Sequence, residues 1–410
     1  MSKITTLGEI TNIITGPFGS QLHMSDYVDM GIPVIMPQDI IGGTISMNNI
    51  ACIGETDYLR LIRYDIKPND IIFARRGDIE KHAFITDDSR LLCGTGCFRI
   101  RIIDSSVYPL FLSYFLDRLE TRKWLVTHAV GSNMPNLNIA ILASVPIELP
   151  DYDKQVKIGD FLYNIERKIQ CNKKINENLQ HMSITTYMHM FHGKKSNGKL
   201  GDILIENPKS TIRVSEAKDK SGDFPFFTSG DAVFRWIKPI VEGRNIFLNT
   251  GGNAGVKFYV GKTAYSTDTW CITAKENMED YLYFLLNSIK RELNLKFFQG
   301  TGLKHLQKPL LKDRAIYIPS KEEISAFNAY VQPWLSMISD NTRESYRLSD
   351  FREWLLPMLM NGQATIKEEK PQIKVLGFEQ WRANQGYAAR GDVDIDVLKD
   401  IYEAMDDDDK

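Results

Sequence analysis

The stretch Gly131–Leu137, which reads GSNMPNL, decides how the rest of this chain is interpreted. A related stretch, Gly300–Leu306 (GTGLKHL), follows 169 residues later. Both begin with glycine and a small hydroxyl residue and end with leucine. The same shift carries Ile147–Pro150 (IELP) onto Ile316–Pro319 (IYIP). A repeat at a long, fixed shift indicates two copies of one structural plan.

Each copy also opens with a similar tetrapeptide, Leu7–Ile10 (LGEI) and Leu200–Ile203 (LGDI). Alternating apolar residues separated by glycine turns then predict β-strands. After each copy comes a segment of about 40 residues in which apolar residues recur at steps of three and four, the pattern of a long helix with a heptad seam. The chain is therefore predicted to consist of two β-rich modules, each followed by a long helix.

Asparagine interrupts each seam near its middle, at Asn172 and at Asn341. If the helices pack antiparallel, their centres meet and Asn172 faces Asn341, where a buried polar pair fixes the register. The alternative is a plain two-helix hairpin inside a larger core. Pro333 is expected to kink the second helix or to delay its start.

The predicted fold class is α+β, with two β-rich mixed modules separated by two long antiparallel helices that form a coiled coil, in a pseudo-two-fold internal repeat. Each helix would span roughly 60 Å at 1.5 Å per residue. The expected divisions are 1–150 for module 1, 151–195 for the central helix, 196–320 for module 2, 321–363 for the C-terminal helix and 364–410 for an acidic tail that forms a short helical hairpin.

The composition sets the broad class. The chain has 410 residues, of which 43% are apolar and 25% charged, with a net charge of −2. These values are ordinary for a globular protein and exclude a mostly disordered chain. No run of about 18 apolar residues occurs, so no membrane span is predicted. Five cysteines without a CxxC pair, and an N-terminus without a signal-peptide core, favour a cytoplasmic protein with reduced thiols.

The sequence lacks the common catalytic motifs. It contains no GxxxxGK[ST] phosphate loop, no HExxH zinc motif and no GxSxG nucleophile elbow. The Asn/Asp-Pro-Pro-aromatic signature of aminomethyltransferases is also missing, since Asn207–Lys209 fails at the second proline. A binding or scaffolding role is therefore the default. Residues 290–314 hold seven basic and two acidic side chains, a local charge that suits phosphate.

Several stretches, in this order, resemble one known family, the specificity subunit of type I restriction-modification enzymes. They are Gly16–Leu22 (GPFGSQL), Arg75–Lys81 (RRGDIEK), Gly131–Asn133, Pro146–Pro150 followed by Gln155, and Phe351–Gln363 (FREWLLPMLMNGQ). The resemblance covers about residues 1–363.

The resemblance implies two target-recognition domains, each reading one half of a split site in double-stranded DNA, with the helices setting the gap. It implies that this chain is not catalytic and carries no cofactor. Adenine methylation would reside on two modification subunits with S-adenosylmethionine. Cleavage and translocation would reside on restriction subunits that use ATP and Mg. Because the modules differ in sequence, the half-sites should differ too. A separation near one helical turn, about 34–36 Å, is compatible with the spacer.

The candidate DNA-binding residues follow from contact chemistry, because Arg and Lys suit guanine while Asn and Gln suit adenine. In module 1 they are Gln21, Arg75, Arg76, Lys81, Ser132, Asn133 and Asn136. In module 2 they are Ser229, Asn249, Thr250, Asn253, Lys257, Thr301, Lys304 and His305. Adjacent strand residues point to opposite faces, so only one of Arg75 and Arg76 should reach DNA. The alternative for each residue is a local turn role, which is favoured for Ser132, Ser229 and Thr301.

The helix ends carry more apolar residues than a two-helix seam needs. They are Tyr187, Met188 and Phe191 at one end, and Trp354, Leu355, Leu356, Met358 and Leu359 at the other. Exposed apolar patches mark partner sites, so two equivalent patches are predicted to bind two modification subunits. Alternatively, these residues pack back on the modules. The tail 364–410 would dock on a partner or cap this chain.

Three other functions remain open from the sequence. A DNA-binding protein of the same architecture that acts alone predicts tight binding by the isolated chain. A fused nuclease or methyltransferase predicts a metal or S-adenosylmethionine requirement in this chain. A helical scaffold predicts no sequence preference.

Overall fold

The computed structural model describes residues 3–131, 134–218, 222–302 and 304–366. The chain divides into a large unit, Met1–Pro357, and a small C-terminal unit, Met358–Lys410. The helical hairpin predicted for the acidic tail lies outside the described residues.

Module 1 contains two larger sheets and two two-stranded pairs. Its strands are β1 (Lys3–Thr6), β2 (Thr11–Thr15), β3 (Tyr27–Val28), β4 (Ile32–Ile35), β5 (Ile40–Ile41), β6 (Thr44–Ile45), β7 (Cys52–Ile53), β8 (Asp65–Ile66), β9 (Ile71–Ala74), β10 (His82–Phe84), β11 (Leu91–Cys93), β12 (Cys97–Ile102) and β13 (Pro146–Leu149). Its helices are α1 (Leu7–Ile10), α2 (Glu55–Arg60), α3 (Pro109–Leu116), α4 (Leu119–His128) and α5 (Ile139–Ala143). A four-stranded sheet has the order β10–β9–β12–β2, and a five-stranded sheet has the order β3–β7–β4–β11–β8. The two-stranded pairs are β1 with β13 and β5 with β6. Every residue of β9 is buried, which explains its continuous apolar run.

Module 2 follows the same plan after the long helix α6 (Tyr152–Phe191). Its strands are β14 (Gly198–Lys199), β15 (Leu204–Glu206), β16 (Phe224–Phe227), β17 (Val233–Trp236), β18 (Arg244–Asn249), β19 (Val256–Val260), β20 (Ala264–Tyr265), β21 (Thr269–Ala274), β22 (Phe298–Gln299), β23 (His305–Leu306) and β24 (Ala315–Ile316). Its helices are α7 (Leu200–Ile203), α8 (Val214–Lys218), α9 (Glu279–Ser288), α10 (Lys290–Glu292) and α11 (Lys308–Lys312). The sheet β19–β18–β21–β15 repeats the order of the four-stranded sheet in module 1, with β18 in the place of β9. The smaller sheet has the order β17–β16–β20.

The repeat extends to the strands that close each module. Strand β1 pairs with β13, and β14 pairs with β24. The short helix that follows the first strand of each pair is fixed by the same backbone bond. The N–H of Leu7 donates to the carbonyl of Val145 at 2.9 Å, and that of Leu200 donates to Arg314, also at 2.9 Å. The predicted α+β repeat is confirmed.

Two helices of 40 residues each, α6 and α12 (Lys321–Met360), run antiparallel. Phe161 lies against Phe351 at one end of the pair, and Phe191 lies against Phe327 at the other. Of the two expected effects of Pro333, the delayed start is wrong, because α12 starts at Lys321 and continues through this proline, and the kink stays a prediction. Ala329, whose carbonyl loses its helical partner to the proline ring, is exposed, and so is Pro333.

The helix starts are fixed by different side chains. At α6, Asp151 Oδ1 accepts from the N–H of Lys154 at 3.0 Å. At α12, Ser320 and Glu323 bond reciprocally: Ser320 Oγ accepts from the N–H of Glu323 at 3.2 Å, and Glu323 Oε2 accepts from that of Ser320 at 2.8 Å. Both arrangements satisfy N–H groups that have no partner within the helix.

The centre of the helix pair is polar, and Asn172 faces Asn341 there as expected, because Asn172 Nδ2 donates to the backbone carbonyl of Asn341 at 3.5 Å. Asn172, only 1% exposed, donates to Glu344 Oε2 at 2.7 Å and to Ser345 Oγ at 3.3 Å. Asn341 donates to Asn176 Oδ1 at 2.9 Å. The side chain of each central asparagine thus also bonds a residue about one turn beyond the other asparagine. The shift of 169 residues maps the Asn172–Ser345 contact onto the Asn341–Asn176 contact, so the polar layer keeps the approximate two-fold symmetry.

Candidate nucleic-acid interface

Each module carries a pair of loops at one end of its four-stranded sheet. Loop pair 1 consists of residues 75–78, directly after β9, and the hairpin 130–137. Loop pair 2 consists of residues 250–254, directly after β18, and the hairpin 299–306. The hairpin positions correspond by the shift of 169 that the sequence revealed. The strand-end positions correspond by 175, because the modules differ in length between their sheets.

The same backbone bonds hold both loop pairs together. In loop pair 1, the N–H of Leu137 donates to the backbone carbonyl of Arg75 at 3.0 Å, and the N–H of Gly77 donates to that of Pro135 at 3.1 Å. In loop pair 2, the N–H of Leu306 donates to Thr250 at 3.0 Å, and the N–H of Gly252 donates to Lys304 at 2.9 Å.

The residues between these bonds also lie opposite each other in both pairs. Arg76 is bridged to Asn136, and Gly251 is bridged to His305. The two modules therefore present side chains from one common backbone frame.

Glycine begins the tip of both hairpins for a conformational reason. Gly131 has φ of +105° and Gly300 has φ of +147°, a region that side chains disfavour. A Cβ at Gly131 would lie 2.7 Å from the carbonyl oxygen of Met134. The repeated glycine is therefore a requirement of the turn. Ser132 and Asn133, both predicted to contact DNA, lie outside the described residues at this tip.

The two arginines of loop pair 1 have different surroundings. Arg75 is half-buried and its guanidinium lies over the Phe18 ring, 5.6 Å from the centroid. Burial, and then the charge of Arg76, lower the pKa of Arg75, which stays protonated because arginine titrates far above neutrality. Arg76 is exposed and has no carboxylate partner among the described residues. Arg76 is thus the arginine available to a ligand.

In loop pair 2 the exposed candidates are on the hairpin and the facing loop. Thr301, Lys304 and His305 are exposed, and so is Asn253. The hairpin is continuous with α10 through a π-helical turn, Leu293–Phe297. The turn is fixed to the facing loop, because Asn294 Oδ1 accepts from the N–H of Ala254 at 2.7 Å.

Other predicted DNA-binding residues are engaged inside the protein. Asn249 and Lys257 lie in strands β18 and β19. Asn249 is 6% exposed and donates to the carbonyl of Asn253 at 3.0 Å. Lys257 Nζ donates to the carbonyl of Thr228 at 2.7 Å, and burial lowers its pKa. Asn249 thus holds the facing loop of loop pair 2. Lys257 instead holds the segment that contains Thr228 and Gly230.

The remaining predicted residues have local partners. The Tyr64 hydroxyl donates to Gln21 Oε1 at 2.7 Å, and Lys81 pairs with Asp78 at 2.6 Å. Ser229 and Thr250 both donate to the carbonyl of Asp268. For Ser229 this is the turn role that the sequence favoured. Asn136 is half-buried, and its Oδ1 has no hydrogen-bond partner among the described residues.

Two exposed residues next to loop pair 2, Lys290 and Arg291 in α10, are not among the DNA-binding residues predicted from the sequence. The signal was present, since both belong to the basic stretch 290–314. Whether these two cations are available to a ligand depends on whether the nearby carboxylates pair with them or with other cations. The sequence does not show this pairing.

The repeat seen in the backbone is also recognised by a family model. The model of the type I restriction modification DNA specificity domain matches residues 2–181 and, a second time, residues 194–330. This chain belongs to that family.

Similar proteins carry the specificity-subunit name. The type I restriction enzyme MjaIX specificity subunit of Methanocaldococcus jannaschii is 22% identical over 317 residues, which cover 66% of this chain and 72% of the relative. The EcoDI specificity subunit of Escherichia coli is 24% identical over 162 residues, 38% of this chain and 36% of that protein. The crystal structure of a type I restriction-modification S subunit from M. genitalium superposes with a TM-score of 0.60 at 14% identity, covering 88% of this chain and 96% of the other. This likeness shows the fold.

The apolar helix ends of this specificity-family chain require a correction. Tyr187 and Phe191, predicted to face partner subunits, are 5% and 4% exposed. Their rings pack on Phe284 and Tyr281 of module 2 and on Phe327 of α12. They complete the core of module 2, because the rings of Tyr281 and Phe284 in α9 pack against them. The alternative, that this end packs back on a module, is the arrangement found.

At the other end, the side chains divide by exposure. Trp354 is 57% exposed, whereas Leu355 and Leu356 are 8% exposed. In the C-terminal unit, Leu359 is buried and Met358 is half-buried. Met188 of α6 is 38% exposed. The predicted equivalent patches are therefore reduced to a few residues, of which Trp354 is the largest.

Within residues 3–131, 134–218, 222–302 and 304–366, no group of three or more His, Cys, Asp or Glu side chains is arranged to hold a metal ion. No helix in the same ranges is long and apolar enough to cross a membrane.

Proposed function

We propose that this chain is the DNA-specificity subunit of a type I restriction-modification complex and acts in the cytoplasm. Module 1 would read one half of an asymmetric, bipartite site in double-stranded DNA, and module 2 the other half. The helix pair would hold the two halves at a fixed separation. The chain would carry neither a cofactor nor catalysis of its own.

One observation carries the proposal: two loop pairs have the same backbone frame and different side chains. A common frame presents side chains to equivalent places on a duplex, while different donors and acceptors select different bases. Loop pair 1 offers Arg76, and loop pair 2 offers Lys304 and His305, all exposed. Two unlike half-sites are the expected result.

The antiparallel helices supply the geometry of a split site. Module 1 docks on the N-terminal part of α6, where the Tyr108 hydroxyl donates to Asp160 at 2.6 Å and that of Tyr114 donates to Glu166 at 2.8 Å. Module 2 docks on the N-terminal part of α12, where the N–H of Val260 donates to Ser339 Oγ at 2.9 Å. An approximate two-fold axis between the modules suits two half-sites on one duplex.

The other subunits of the complex would supply the chemistry. Two modification subunits would bind S-adenosylmethionine and methylate adenine, and restriction subunits would use ATP and Mg. The exposed indole of Trp354 is a candidate contact for a modification subunit, because exposed aromatic residues are enriched at protein interfaces.

The test is to co-express this chain with a candidate modification subunit, purify the complex and map adenine methylation on the host genome. The expected result is a split, asymmetric motif that is absent when the modification subunit is expressed alone. A matched pair of variants, Arg76→Ala and Lys81→Ala, adds a control, because Lys81 is paired with Asp78 and should not change the motif.

Two outcomes would overturn the proposal. Tight, specific DNA binding by the isolated chain without a modification partner would favour a DNA-binding protein that acts alone. A stable complex that produces no motif would favour a structural role.

A further inference from the structure

We infer that Lys290 and Arg291 form a phosphate-binding turn that holds the DNA backbone next to loop pair 2. The inference rests on the proposed function and deepens it, because it separates the residues that grip the duplex from those that read bases. The turn comprises residues 290–292, the whole of α10.

The cations of the basic stretch 290–314 divide, within the part of the chain that the structure describes, into those paired with carboxylates and those without a carboxylate partner. In the basic stretch 290–314, Glu292 neutralises Lys296 at 3.2 Å and Arg314 at 2.8 Å. Glu206 lies 3.9 Å from Lys308 and also pairs with Lys312. These four cations are therefore occupied within the protein.

The cations that remain are exposed: Lys290 and Arg291 are adjacent in the chain, and Lys304 lies on the hairpin of loop pair 2. Lys290, Arg291 and Lys304 have no carboxylate partner among the described residues. An unpaired surface cation costs little folding free energy, since it stays hydrated. Without a carboxylate partner, it also forms no ion pair that would stabilise the fold. It leaves positive charge free for an anion.

The two cations of this turn are joined to the candidate recognition surface by the chain itself and by a hydrogen bond. The dibasic turn continues through the π-helical turn Leu293–Phe297 directly into the hairpin of loop pair 2. Leu293 and Phe297 are buried in the core of module 2 and anchor the segment. The bond from Ala254 to Asn294 Oδ1, 2.7 Å long, joins it to the facing loop. π-Helical turns occur frequently at functional sites.

The anion class follows from the surroundings. A duplex whose bases meet the hairpin must bring its phosphates past the flanking backbone. Lys and Arg contacts to phosphate orient a protein on DNA and carry no sequence information. Each such contact releases condensed counterions, so it steepens the dependence of affinity on salt.

Module 1 provides the internal comparison. Helix α4 leads into its hairpin as α10 does in module 2, but Arg122 pairs with Asp117 at 2.5 Å. Lys123 is exposed. Helix α4 of module 1 thus offers one exposed cation without a carboxylate partner among the described residues, Lys123, where α10 of module 2 offers two, Lys290 and Arg291.

The experiment uses the complex with its modification subunit and two probes, a duplex that contains the mapped motif and a scrambled duplex of equal length. The double variant Lys290→Ala/Arg291→Ala should lower the slope of log affinity against log salt by about 2. Its loss of affinity between about 50 and 200 mM salt should then be about tenfold smaller than that of the complex with the unsubstituted chain. The change should be equal for both duplexes, and the methylated motif should stay the same.

The control is the double variant Lys296→Ala/Lys312→Ala, which removes the same charge from cations that already have carboxylate partners. Its salt slope should match that of the unmodified complex. An unchanged slope for Lys290→Ala/Arg291→Ala, or an altered base preference in its motif, would overturn the inference. The scrambled duplex tests the slope even if the unmodified complex yields no motif, so failure of the proposed function is distinguishable from failure of the inference.

Discussion

Modules 1 and 2 hold their loop pairs with equivalent backbone bonds, yet the side chains on those loops and the contacts behind them differ. Loop pair 1 places Arg75 over Phe18 and leaves Arg76 exposed. Loop pair 2 has glycine at the position of Arg76 and places its cations on the hairpin and on α10. A backbone frame can therefore be kept while the chemistry it presents is changed, as two unlike half-sites require.

The modules also differ in how they meet the helices. Module 1 uses polar contacts, with Gln155 Oε1 accepting from the N–H of Tyr108 at 2.9 Å. Module 2 uses the buried rings of Tyr187 and Phe191 and an ion pair between Arg244 and Asp280, in which Arg244 also donates to the carbonyl of Gln332. The same spacer thus supports two different interfaces.

The largest effect is expected from breaking the buried ion pair of either module. Asp280 pairs with Arg244 at 2.7 Å, and Asp70 pairs with Arg101 at 2.6 Å, with both carboxylates almost fully buried. Asp280→Ala leaves Arg244 without a carboxylate partner in the described ranges and should cost about 3 kcal/mol. Asp70→Ala leaves Arg101 within 3.6 Å of Asp65 and should cost less. Arg244 is also less exposed than Arg101, which adds to the difference.

Hydrogen exchange locates the damage, since local opening is measured strand by strand. Asp280→Ala should deprotect β18 and β21, and Asp70→Ala should deprotect β9 and β12. Glu55→Gln is the control, because its ion pair with Arg90 is exposed. Equal loss of protection in both modules from either variant would show that they do not fold as separate units.

The next effect concerns the half-sites. Arg76→Ala should relax base preference in one half of the methylated motif by about 1–3 kcal/mol at one position, and His305→Ala should do so in the other half. The two residues occupy the frame positions that face Asn136 and Gly251, respectively. Motif mapping of the two variants is the measurement. Changes from both variants in the same half would contradict the assignment of one half-site to each module.

A smaller effect tests the symmetry of the polar layer. Double-mutant cycles with alanine should give a coupling of about 0.5–1.5 kcal/mol for Asn172 with Ser345 and a similar value for Asn176 with Asn341. The two contacts are 3.3 and 2.9 Å long and are related by the repeat. Chemical denaturation provides the free energies. Coupling in only one pair would mean that the symmetry of the layer has no energetic counterpart.

The smallest effect concerns how the stability contributed by the start of α12 depends on pH, with the start of α6 as the comparison. Lys194, then the N–H of Ser320 and the Tyr317 hydroxyl, lower the pKa of Glu323 to about 2. A lowered carboxyl pKa stabilises the fold above the unfolded value of about 4.5, and this stability is lost as pH falls towards 2. Glu323→Gln should cost about 0.5 kcal/mol near neutral pH and should flatten this acid dependence.

Thermal unfolding between pH 2 and 7 measures the change. Asp151→Asn at the start of α6 is the comparison, because asparagine still accepts from the N–H of Lys154. An acid dependence that persists in Glu323→Gln would contradict the role assigned to this carboxylate.

Much of the architecture could be predicted from the sequence because it depends on local periodicity. The shift of 169 residues located both hairpins, and the three–four spacing located α6 and α12. The polar interruption at Asn172 and Asn341 was visible too, and the two residues meet as expected, with further partners one turn away.

The candidate site was predicted only in part, for a different reason. Gln21 bonds to Tyr64 and Lys257 bonds to Thr228, each across many residues of chain. No local pattern distinguishes such an occupied polar group from a free one.

The sequence by itself determined the repeat, the α+β class and the two long helices, because hydrophobic spacing and glycine turns act over a few residues. Only the tertiary structure decided which charges are free and which aromatic side chains face inwards. Whether Arg76 and Lys290 are free, or Tyr187 is buried, depends on partners that folding brings from distant parts of the chain. Desolvation and pairing are properties of that assembled environment.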